Sequence, residues 1–288
     1  MEIQLSPLKN KFPARIIAII LGAGKGTRIE HVFPSTPKPL IKISSLGEVS
    51  VLDHLISTLL DLRIDLIEII IGHLGYKIEN HIRNLKEKDK NRYSNVGLID
   101  SGQEYKKGSF FSFLSFSKNL SKYFSRDLFL IIPGDTIFSK GIFVNIFHLI
   151  AENGNLFRKY PSIFYQDLKQ NEVKPIPKHS ISILETFSGE KNFFLKKIVQ
   201  IDNEIQNLDK IKQVVPIISF PYNFVITIIK QAKKMNVISI KDTLNFLIET
   251  QDQKIMVYKL SSKYRFYDID SESDLINLEK KVDNSCSD

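Results

Sequence analysis

Short apolar runs alternate with longer amphipathic segments through the first half of this 288-residue chain. The runs are rich in Ile, Leu and Val and predict strands at residues 16–21, 66–72, 95–99 and 127–132. Apolar residues at helical spacing predict helices at residues 50–63, 75–86 and 109–122, with Ser50 as the N-cap of the first. Because parallel strands are joined by helical crossovers, this alternation indicates an α/β protein with a parallel sheet.

The second half of the chain has a less regular pattern. Residues 156–178 contain three prolines and weak periodicity, so we expect a loop-rich excursion there. Beyond it, strands are predicted at residues 181–187, 193–201, 213–220, 254–260 and 265–269. Helices are predicted at residues 222–235, 240–250 and 271–282, the last begun by a capping box of Ser271 and Asp274. Together the two halves predict a three-layer α/β/α sandwich with a mostly parallel, mixed central sheet.

Composition and charge narrow the function classes. The formal net charge of +8 and the pI of about 9.3 favour anionic ligands such as phosphorylated molecules. The lysines are scattered without a long basic run, so we expect no nucleic-acid partner. The longest apolar stretches fall far short of the ~20 residues of a membrane span, and residues 1–15 lack the apolar centre of a signal peptide. The single cysteine, Cys286, leaves no disulfide or cysteine-based metal site within the chain, and we expect a cytoplasmic protein.

A glycine-rich turn follows the first predicted strand, with the sequence Leu-Gly-Ala-Gly-Lys-Gly-Thr-Arg at residues 21–28. Its three glycines permit positive φ and close backbone approach, so that successive N–H groups can bind phosphate oxygens. A dinucleotide fingerprint is excluded because the third glycine is misplaced and three prolines occupy residues 30–39, where a helix would begin. A Walker loop is excluded because no Gly-Lys-Ser/Thr follows at the right spacing. The turn alone predicts a phosphate site and no particular nucleotide.

A lysine between two prolines follows this turn, in the sequence Thr-Pro-Lys-Pro-Leu at residues 36–40. The prolines restrict the backbone on both sides of Lys38 and should hold its ammonium in a defined direction. A lysine fixed in this way can act as a charge clamp on a phosphate, with Arg28 as a second cation.

Carboxylates follow two of the predicted strands. Asp135 comes directly after Pro-Gly at the end of the fourth strand, and Asp268 and Asp270 lie at the end of the last strand. Ligands bind at the carboxyl ends of strands in open α/β sheets, and alternation points Asp268 and Asp270 the same way. Because Mg²⁺ prefers oxygen ligands, these residues predict a magnesium site whose other positions are filled by phosphate oxygens.

The glycine-rich turn followed by Pro-Lys-Pro-Leu resembles the signature of the sugar-1-phosphate nucleotidyltransferase superfamily. The resemblance implies the nucleotide-diphospho-sugar transferase fold over residues 15–283, after an N-terminal extension at residues 1–14. It further implies a nucleotide-binding half at residues 15–155 and an acceptor-binding half at residues 156–283.

The resemblance also implies the roles of the site residues. Arg28 and Lys38 would hold the triphosphate and stabilise charge on the attacked α-phosphorus. The magnesium ligands would be Asp135, Asp268 and Asp270. The nucleotide-binding residues would be Leu21, Gly22, Ala23, Gly24, Lys25, Gly26 and Thr27, with Gly108 and Ser109 of a second glycine turn beside the base and ribose.

Three further motifs indicate which subfamilies of the superfamily the chain resembles. Lys-Gly-Ser at residues 107–109, Gly-Asp-Thr at residues 134–136 and Tyr-Asp-Ile-Asp at residues 267–270 are most similar to archaeal inositol-1-phosphate and bacterial phosphocholine cytidylyltransferases. This similarity implies transfer of NMP from an NTP, with CTP or UTP favoured, to a phosphorylated sugar, polyol or amino alcohol. Pyrophosphate would be the other product.

The acceptor half departs from the family pattern. Residues 215–217 read Val-Pro-Ile where sugar-nucleotide enzymes often have a Thr-Gly turn. The family's lysine on a neighbouring strand aligns near Gln200, with Lys196 or Lys197 as substitutes. Two other hypotheses therefore stay open: a regulatory homologue that binds nucleotide or NDP-sugar without turnover, and a glycosyltransferase with an Asp-x-Asp metal site. The base, the acceptor and the oligomeric state stay open as well.

Overall fold

A computed structural model gives the structure of residues 14–169, 181–186, 194–201, 210–235 and 237–285. The strands are β1 (Ile16–Leu21), β2 (Lys42–Ile43), β3 (Val49–Ser50), β4 (Leu66–Ile71), β5 (Val96–Asp100), β6 (Leu128–Pro133), β7 (Thr136–Phe138), β8 (Ser162–Lys169), β9 (Ile181–Thr186), β10 (Leu195–Ile201), β11 (Lys210–Pro221), β12 (Met256–Lys259) and β13 (Phe266–Asp268). The helices are α1 (Val51–Asp61), α2 (Gly75–Lys88), α3 (Ser109–Leu114), α4 (Lys140–Glu152), α5 (Gly154–Lys159), α6 (Tyr222–Gln231), α7 (Ile240–Gln251) and α8 (Glu272–Ser285). Residues 1–13 of the predicted N-terminal extension, residues 170–178 of the predicted excursion and Cys286 lie outside the described residues.

The chain divides into two compact units. Of the described residues, those in 15–123, 131–140 and 265–285 form one unit, which we call the loop unit. The described residues in 124–130 and 141–264, with Ala14, form the other, which we call the insertion unit.

The sheet of the loop unit is built from parallel strands. Strand β1 pairs in parallel with β4, and β4 pairs in parallel with β5, which places Glu68 opposite Gly97. Ile17, Ile19 and Ile20 are completely buried, because side chains on both faces of the sheet are covered. This burial explains why β1 is a continuous apolar run. The parallel pairing of β1, β4 and β5 confirms the parallel sheet that the pattern predicted.

Capping side chains begin two helices of the loop unit where the sequence predicted them. Ser50 caps α1, and its Oγ accepts a hydrogen bond from the N–H of Asp53 at 3.0 Å. Helix α8 follows the predicted capping box, in which the N–H of Ser271 donates to Asp274 Oδ2 at 2.8 Å. Both predicted helix starts are confirmed.

The predicted helix at residues 109–122 is an α-helix only in its first part. Helix α3 gives way to a 3₁₀ helix, Ser115–Lys122. Phe110, Phe113 and Phe116 are all buried. A spacing of three residues places side chains on one face of an α-helix as well as of a 3₁₀ helix, so the sequence pattern predicted a helix without distinguishing the two.

The insertion unit holds a mixed sheet around the long strand β11. Strand β11 pairs antiparallel with β8 and β9, β9 pairs antiparallel with β10, and β12 pairs in parallel with β8. The loop-rich excursion predicted at residues 156–178 is therefore wrong for strand β8. Ile163 and Phe164 are adjacent and both completely buried, so this central strand lacks the alternation by which a half-buried strand is recognised.

Several elements were not predicted, among them helix α4 and strand β7. Helix α4 buries Ile142, Phe143, Val144, Ile146, Phe147 and Ile150. Apolar residues cover so much of its surface that the helical period is obscured. Strand β7 has three residues, too few to give a period, and pairs antiparallel with β13.

The predicted fold class is confirmed as a mixed, mostly parallel sheet with flanking helices. Among the described residues, every helix is too short or too polar to cross a membrane.

Candidate active site

The first residues of the glycine-rich turn are hydrogen-bonded to strand β4 and to the segment that follows it. The N–H of Gly22 donates to Ile70 O at 2.9 Å, and Ala23 O accepts from the N–H of His73 at 3.0 Å. The N–H of Gly22 is therefore engaged by strand β4 rather than directed at a ligand. Within the described part of the chain, the N–H groups of residues 23–27 donate to no other group. These five donors can bind phosphate oxygens.

Gly134 packs against the start of the turn. Its N–H donates to Leu21 O at 3.0 Å, and a Cβ at this position would lie only 2.9 Å from that oxygen. Because only glycine permits this approach, the residue before Asp135 is constrained by packing. The contact holds Asp135 beside the glycine-rich turn.

The backbone around Lys38 forms a rigid turn, as its flanking prolines predicted. The 3₁₀ helix Lys38–Leu40 follows Pro37, whose carbonyl accepts from the N–H of Leu40 at 2.8 Å. The stem of Lys38 packs on Gly26, where φ is 65° and an added Cβ would lie 3.3 Å from Lys38 Cδ. Lys38 is thereby only 8% exposed.

The ammonium of Lys38 lies between two carboxylates. Its Nζ is 2.6 Å from Asp135 Oδ2 and 2.5 Å from Asp270 Oδ1. Burial lowers the pKa of Lys38, but the charges of both aspartates and their hydrogen bonds outweigh burial and raise the pKa above its ordinary value. Lys38 is therefore positively charged at neutral pH.

Arg28 joins the same group of charges. Its Nη1 lies 3.2 Å from Asp270 Oδ2, and its side chain is 60% exposed. Asp270 thus contacts both cations that the family resemblance implies for the triphosphate. The two cations and two carboxylates come from four separate segments of the chain and meet at one place.

An apolar cluster holds these segments together. It consists of Ile29, Ile41, Ile43, Val51, Ile137, Ile269 and Leu278. Ile29 directly follows Arg28 in the chain. Ile269 directly precedes Asp270, and its N–H donates to Asp135 O at 3.0 Å. Burial of the isoleucines therefore fixes the backbone from which the charged side chains extend.

Asp268 is held by the neighbouring strand. It lies opposite Thr136, whose hydroxyl donates to Asp268 Oδ1 at 2.5 Å. Desolvation by the surrounding protein raises the pKa of Asp268 to about 6, with the hydrogen bond from Thr136 opposing the shift and the charges of Asp135 and Asp270 adding to it. The residue is nevertheless exposed to solvent, so crowding by neighbouring protein atoms rather than exclusion of water produces the shift.

A cleft of about 450 Å³ opens along the glycine-rich turn, entirely within the loop unit. This volume lies in the range of small-molecule sites. The cleft is lined by Arg28, Lys38, Asp135 and Asp270, and by all the predicted nucleotide-binding residues except Lys25.

Two predicted residues do not line the cleft. Lys25 pairs with Glu30 at 3.1 Å and is half exposed. Asp268 lies beside Thr136, as described above, and is also absent from the lining. Their roles in binding nucleotide and metal stay predictions.

Sequence reasoning missed four residues that line the cleft: Pro39, Tyr105, Ser112 and Pro133. Ser112 lies three residues after Ser109, and this spacing of neighbours on a helix was a usable signal. Tyr105 belongs to a short 3₁₀ helix, Glu104–Lys107, which has no period to indicate its direction.

The carboxylate pair fits a divalent cation. Asp135 and Asp270 each direct one oxygen at the ammonium of Lys38, so they converge on a single cation position. Mg²⁺ is commonly held by one or two carboxylates and completed by substrate phosphates and water. In the described ranges, no group of three His, Cys, Asp or Glu residues could hold a metal by itself. A metal at this position would therefore need displacement of the ammonium, with phosphate oxygens or water completing its coordination.

The residues considered for the acceptor belong to the insertion unit. Lys196 lies 3.8 Å from Glu185 and Lys197 lies 3.4 Å from Glu249, in ion pairs exposed to solvent. The side chain of Gln200 lies outside the described residues. The acceptor ligand stays a prediction.

Comparison with known proteins finds similar sequences and similar folds. The family model described as nucleotidyl transferase matches residues 17–158. The bifunctional protein GlmU of Methanococcus maripaludis strain C7 is 34% identical over 125 residues, or 43% of this chain. The match spans only 26% of the length of that relative.

Solved structures share the fold over nearly the whole chain. A UDP-glucose pyrophosphorylase complexed with UDP-glucose has a TM-score of 0.67 at 14% identity, covering 94% of this chain and 99% of its own. The CTP:phosphocholine cytidylyltransferase of Streptococcus pneumoniae has a TM-score of 0.62 at 19% identity, covering 93% and 99%. The family model, the motifs and the fold agree: the chain resembles the nucleotidyl transferase family over residues 17–158, and it shares the fold of the solved structures.

Proposed function

We propose that this protein transfers a nucleoside monophosphate from an NTP, with CTP or UTP favoured, to a phosphorylated sugar, polyol or amino alcohol. The other product is pyrophosphate. One observation carries the proposal: the ammonium of Lys38 lies between Asp135 and Asp270 in the cleft of the glycine-rich turn.

The glycine-rich turn, Lys38 and the two carboxylates together indicate a triphosphate more specifically than any one of them does alone. A glycine-rich turn alone serves many phosphate ligands, and a pair of carboxylates alone serves many metals. A triphosphate with its divalent cation needs backbone donors, a fixed cation and carboxylates together. The solved neighbours that bind UDP-glucose or use CTP support a pyrimidine nucleotide.

The reaction needs positioning and charge stabilisation rather than a general base. An oxygen of the acceptor's phosphate attacks the α-phosphorus in line with the leaving group. A new O–P bond forms as the bond from the α-phosphorus to the bridging oxygen breaks, and pyrophosphate leaves with that electron pair. The attacking phosphate oxygen is already ionised at neutral pH, so no proton has to be removed.

The residues of the cleft have distinct roles in this scheme. N–H groups of the glycine-rich turn near Gly26 hold phosphate oxygens, and Lys38 and Arg28 neutralise charge around the α-phosphorus. The flexible stem of Lys38 lets its ammonium move from the carboxylates to the phosphates. Asp135 and Asp270 would hold Mg²⁺, which supplies further charge neutralisation on the triphosphate when bound.

A pyrophosphate-release screen tests the proposal. The protein with MgCl₂ is crossed with CTP, UTP, GTP, ATP and dTTP and with sugar-1-phosphates, inositol phosphate and phosphocholine. We expect release that requires one NTP and one acceptor together. Lys38→Ala and Asp135→Asn should abolish it, whereas Lys88→Ala, at an exposed position of helix α2, should not change it.

Thermal denaturation of each variant shows whether it is folded. Release by folded Lys38→Ala at the wild-type rate would contradict the proposal. Nucleotide binding without release for any acceptor would favour the regulatory homologue, and consumption of an NDP-sugar would favour the glycosyltransferase.

A further inference from the structure

We infer that the base of the bound nucleotide packs against the ring of Tyr105, which makes this tyrosine a substrate-binding residue. The inference deepens the proposed function, because it requires the cleft to bind a nucleotide. Turnover is not required for it. The residue lies outside the motifs that carry the family resemblance, because the glycine turn that the sequence indicated begins after it.

Tyr105 supplies an aromatic surface to the cleft. Among the described residues that line the cleft, it is the only one with an aromatic ring. It lies three residues before Gly108 and four before Ser109, which also line the cleft. Every nucleobase has a π face, so an aromatic side chain can bind a base by stacking whatever its identity.

The ring of Tyr105 is held in place by the end of strand β4. A Cβ at Gly72 would lie 2.9 Å from Tyr105 Cδ1 and 3.0 Å from Ala23 Cβ. The ring centroid lies 6.0 Å from that of His73, with the planes tilted by 52°. Gly72 thus leaves the space in which the tyrosine ring lies, next to the first part of the glycine-rich turn.

The two ends of the glycine-rich turn lie beside different side chains, a lysine at one end and a tyrosine at the other. At Gly26 the turn contacts the stem of Lys38, whereas Ala23 lies with Tyr105 around Gly72. Three residues of chain can separate these positions by up to about 10 Å. The phosphates belong at the Lys38 end because the cations are there. A nucleotide bound this way extends its sugar and base toward Tyr105.

A structural role is the competing interpretation, because the ring also packs on the sheet. The two roles differ in which ligands a substitution affects. Loss of a base contact weakens binding of nucleotides only. Collapse of the turn weakens binding of every phosphate ligand, including one without a base.

Isothermal titration of the full chain in MgCl₂, without acceptor, separates these roles. The probes are CTP, UTP and inorganic tripolyphosphate, and the variants are Tyr105→Ala, Tyr105→Phe and Tyr76→Ala. Tyr76 is a matched control, since it is 58% exposed in the loop unit and outside the cleft lining. We expect Tyr105→Ala to weaken the better-bound nucleotide about tenfold, with tripolyphosphate changed less than about twofold. Tyr105→Phe keeps the ring and should bind like the wild type, as should Tyr76→Ala.

Each other outcome has a definite meaning. Equal weakening of nucleotide and tripolyphosphate by Tyr105→Ala would overturn the inference in favour of a structural role. Unchanged nucleotide binding in that variant would overturn it as well. A Tyr105-dependent nucleotide affinity in a protein that releases no pyrophosphate supports the inference and contradicts the proposed function. A wild-type protein that binds neither nucleotide contradicts both.

Discussion

Replacement of Lys38 by methionine removes the charge between the two carboxylates and keeps the length of the stem. Asp135 Oδ2 and Asp270 Oδ1 lie 2.6 and 2.5 Å from the Lys38 Nζ. The two oxygens are therefore at most about 5 Å apart, and without the ammonium they would repel each other by about 3 kcal/mol at an effective dielectric constant near 20.

The loss of stability should be smaller than for a fully buried ion pair. The side chains of Asp135 and Asp270 are 34% and 33% exposed, and Arg28 still contacts Asp270 in the variant. Removal of Lys38 also removes the cost of burying its ammonium. Breaking a fully buried pair costs about 3–5 kcal/mol, so we expect Lys38→Met to lower the free energy of unfolding by about 2 kcal/mol at neutral pH and low salt.

Urea denaturation with and without MnCl₂ measures this effect and its cause. A divalent cation should occupy the position between the carboxylates and restore most of the loss in Lys38→Met without any nucleotide. The wild type should gain less, because the ammonium competes for the same oxygens. Lys88→Met controls for loss of a surface charge. Equal stabilisation of the variant and the wild type by Mn²⁺ would refute this reasoning.

Substitutions elsewhere in the loop unit test single contacts. Gly97→Ala places a Cβ against the buried carboxylate of Glu68 and should lower the free energy of unfolding by about 1–3 kcal/mol in urea. Burial raises the pKa of Asp53, but hydrogen bonds from His81 and Ser50 outweigh burial and lower it below 3.8. The stabilisation is therefore complete above the unfolded pKa and is lost as the pH falls through the lower folded value. Urea denaturation should show Asp53→Asn less stable than the wild type by about 1 kcal/mol at pH 7, with the difference shrinking below about pH 4. A difference independent of pH would contradict the Asp53 prediction.

The sequence revealed those parts of the site that depend on local backbone chemistry. The prolines beside Lys38 and the glycine at position 26 restrict or permit backbone angles by themselves, so the rigid turn could be predicted. The hydrogen bond from the Gly22 N–H to Ile70 O could not be predicted, because Ile70 belongs to another strand. Strand β8 was missed for a related reason, since burial on both faces leaves no alternation to detect.

Contacts between distant segments required the structure. Lys38 binds Asp135 and Asp270, which lie 97 and 232 residues away in the chain. Sequence patterns placed both aspartates at strand ends without indicating the pairing of β7 with β13 that brings them together. The sequence could therefore predict the chemical groups of the site, whereas their distances depend on the packing of Ile269 and its neighbours.

The charges in the cleft also explain why its features form one site. Lys38 and Arg28 balance Asp135 and Asp270 in the structure, and each cation contacts at least one of the carboxylates. A triphosphate arriving alone would draw the cations away and leave the carboxylates facing its negative charge. A divalent cation arriving alone would meet the ammonium of Lys38 at the position it needs. Arrival of both together would leave the carboxylates free to hold the metal and the lysine free to bind the phosphates, so the residues proposed to hold nucleotide and metal would act as a single unit.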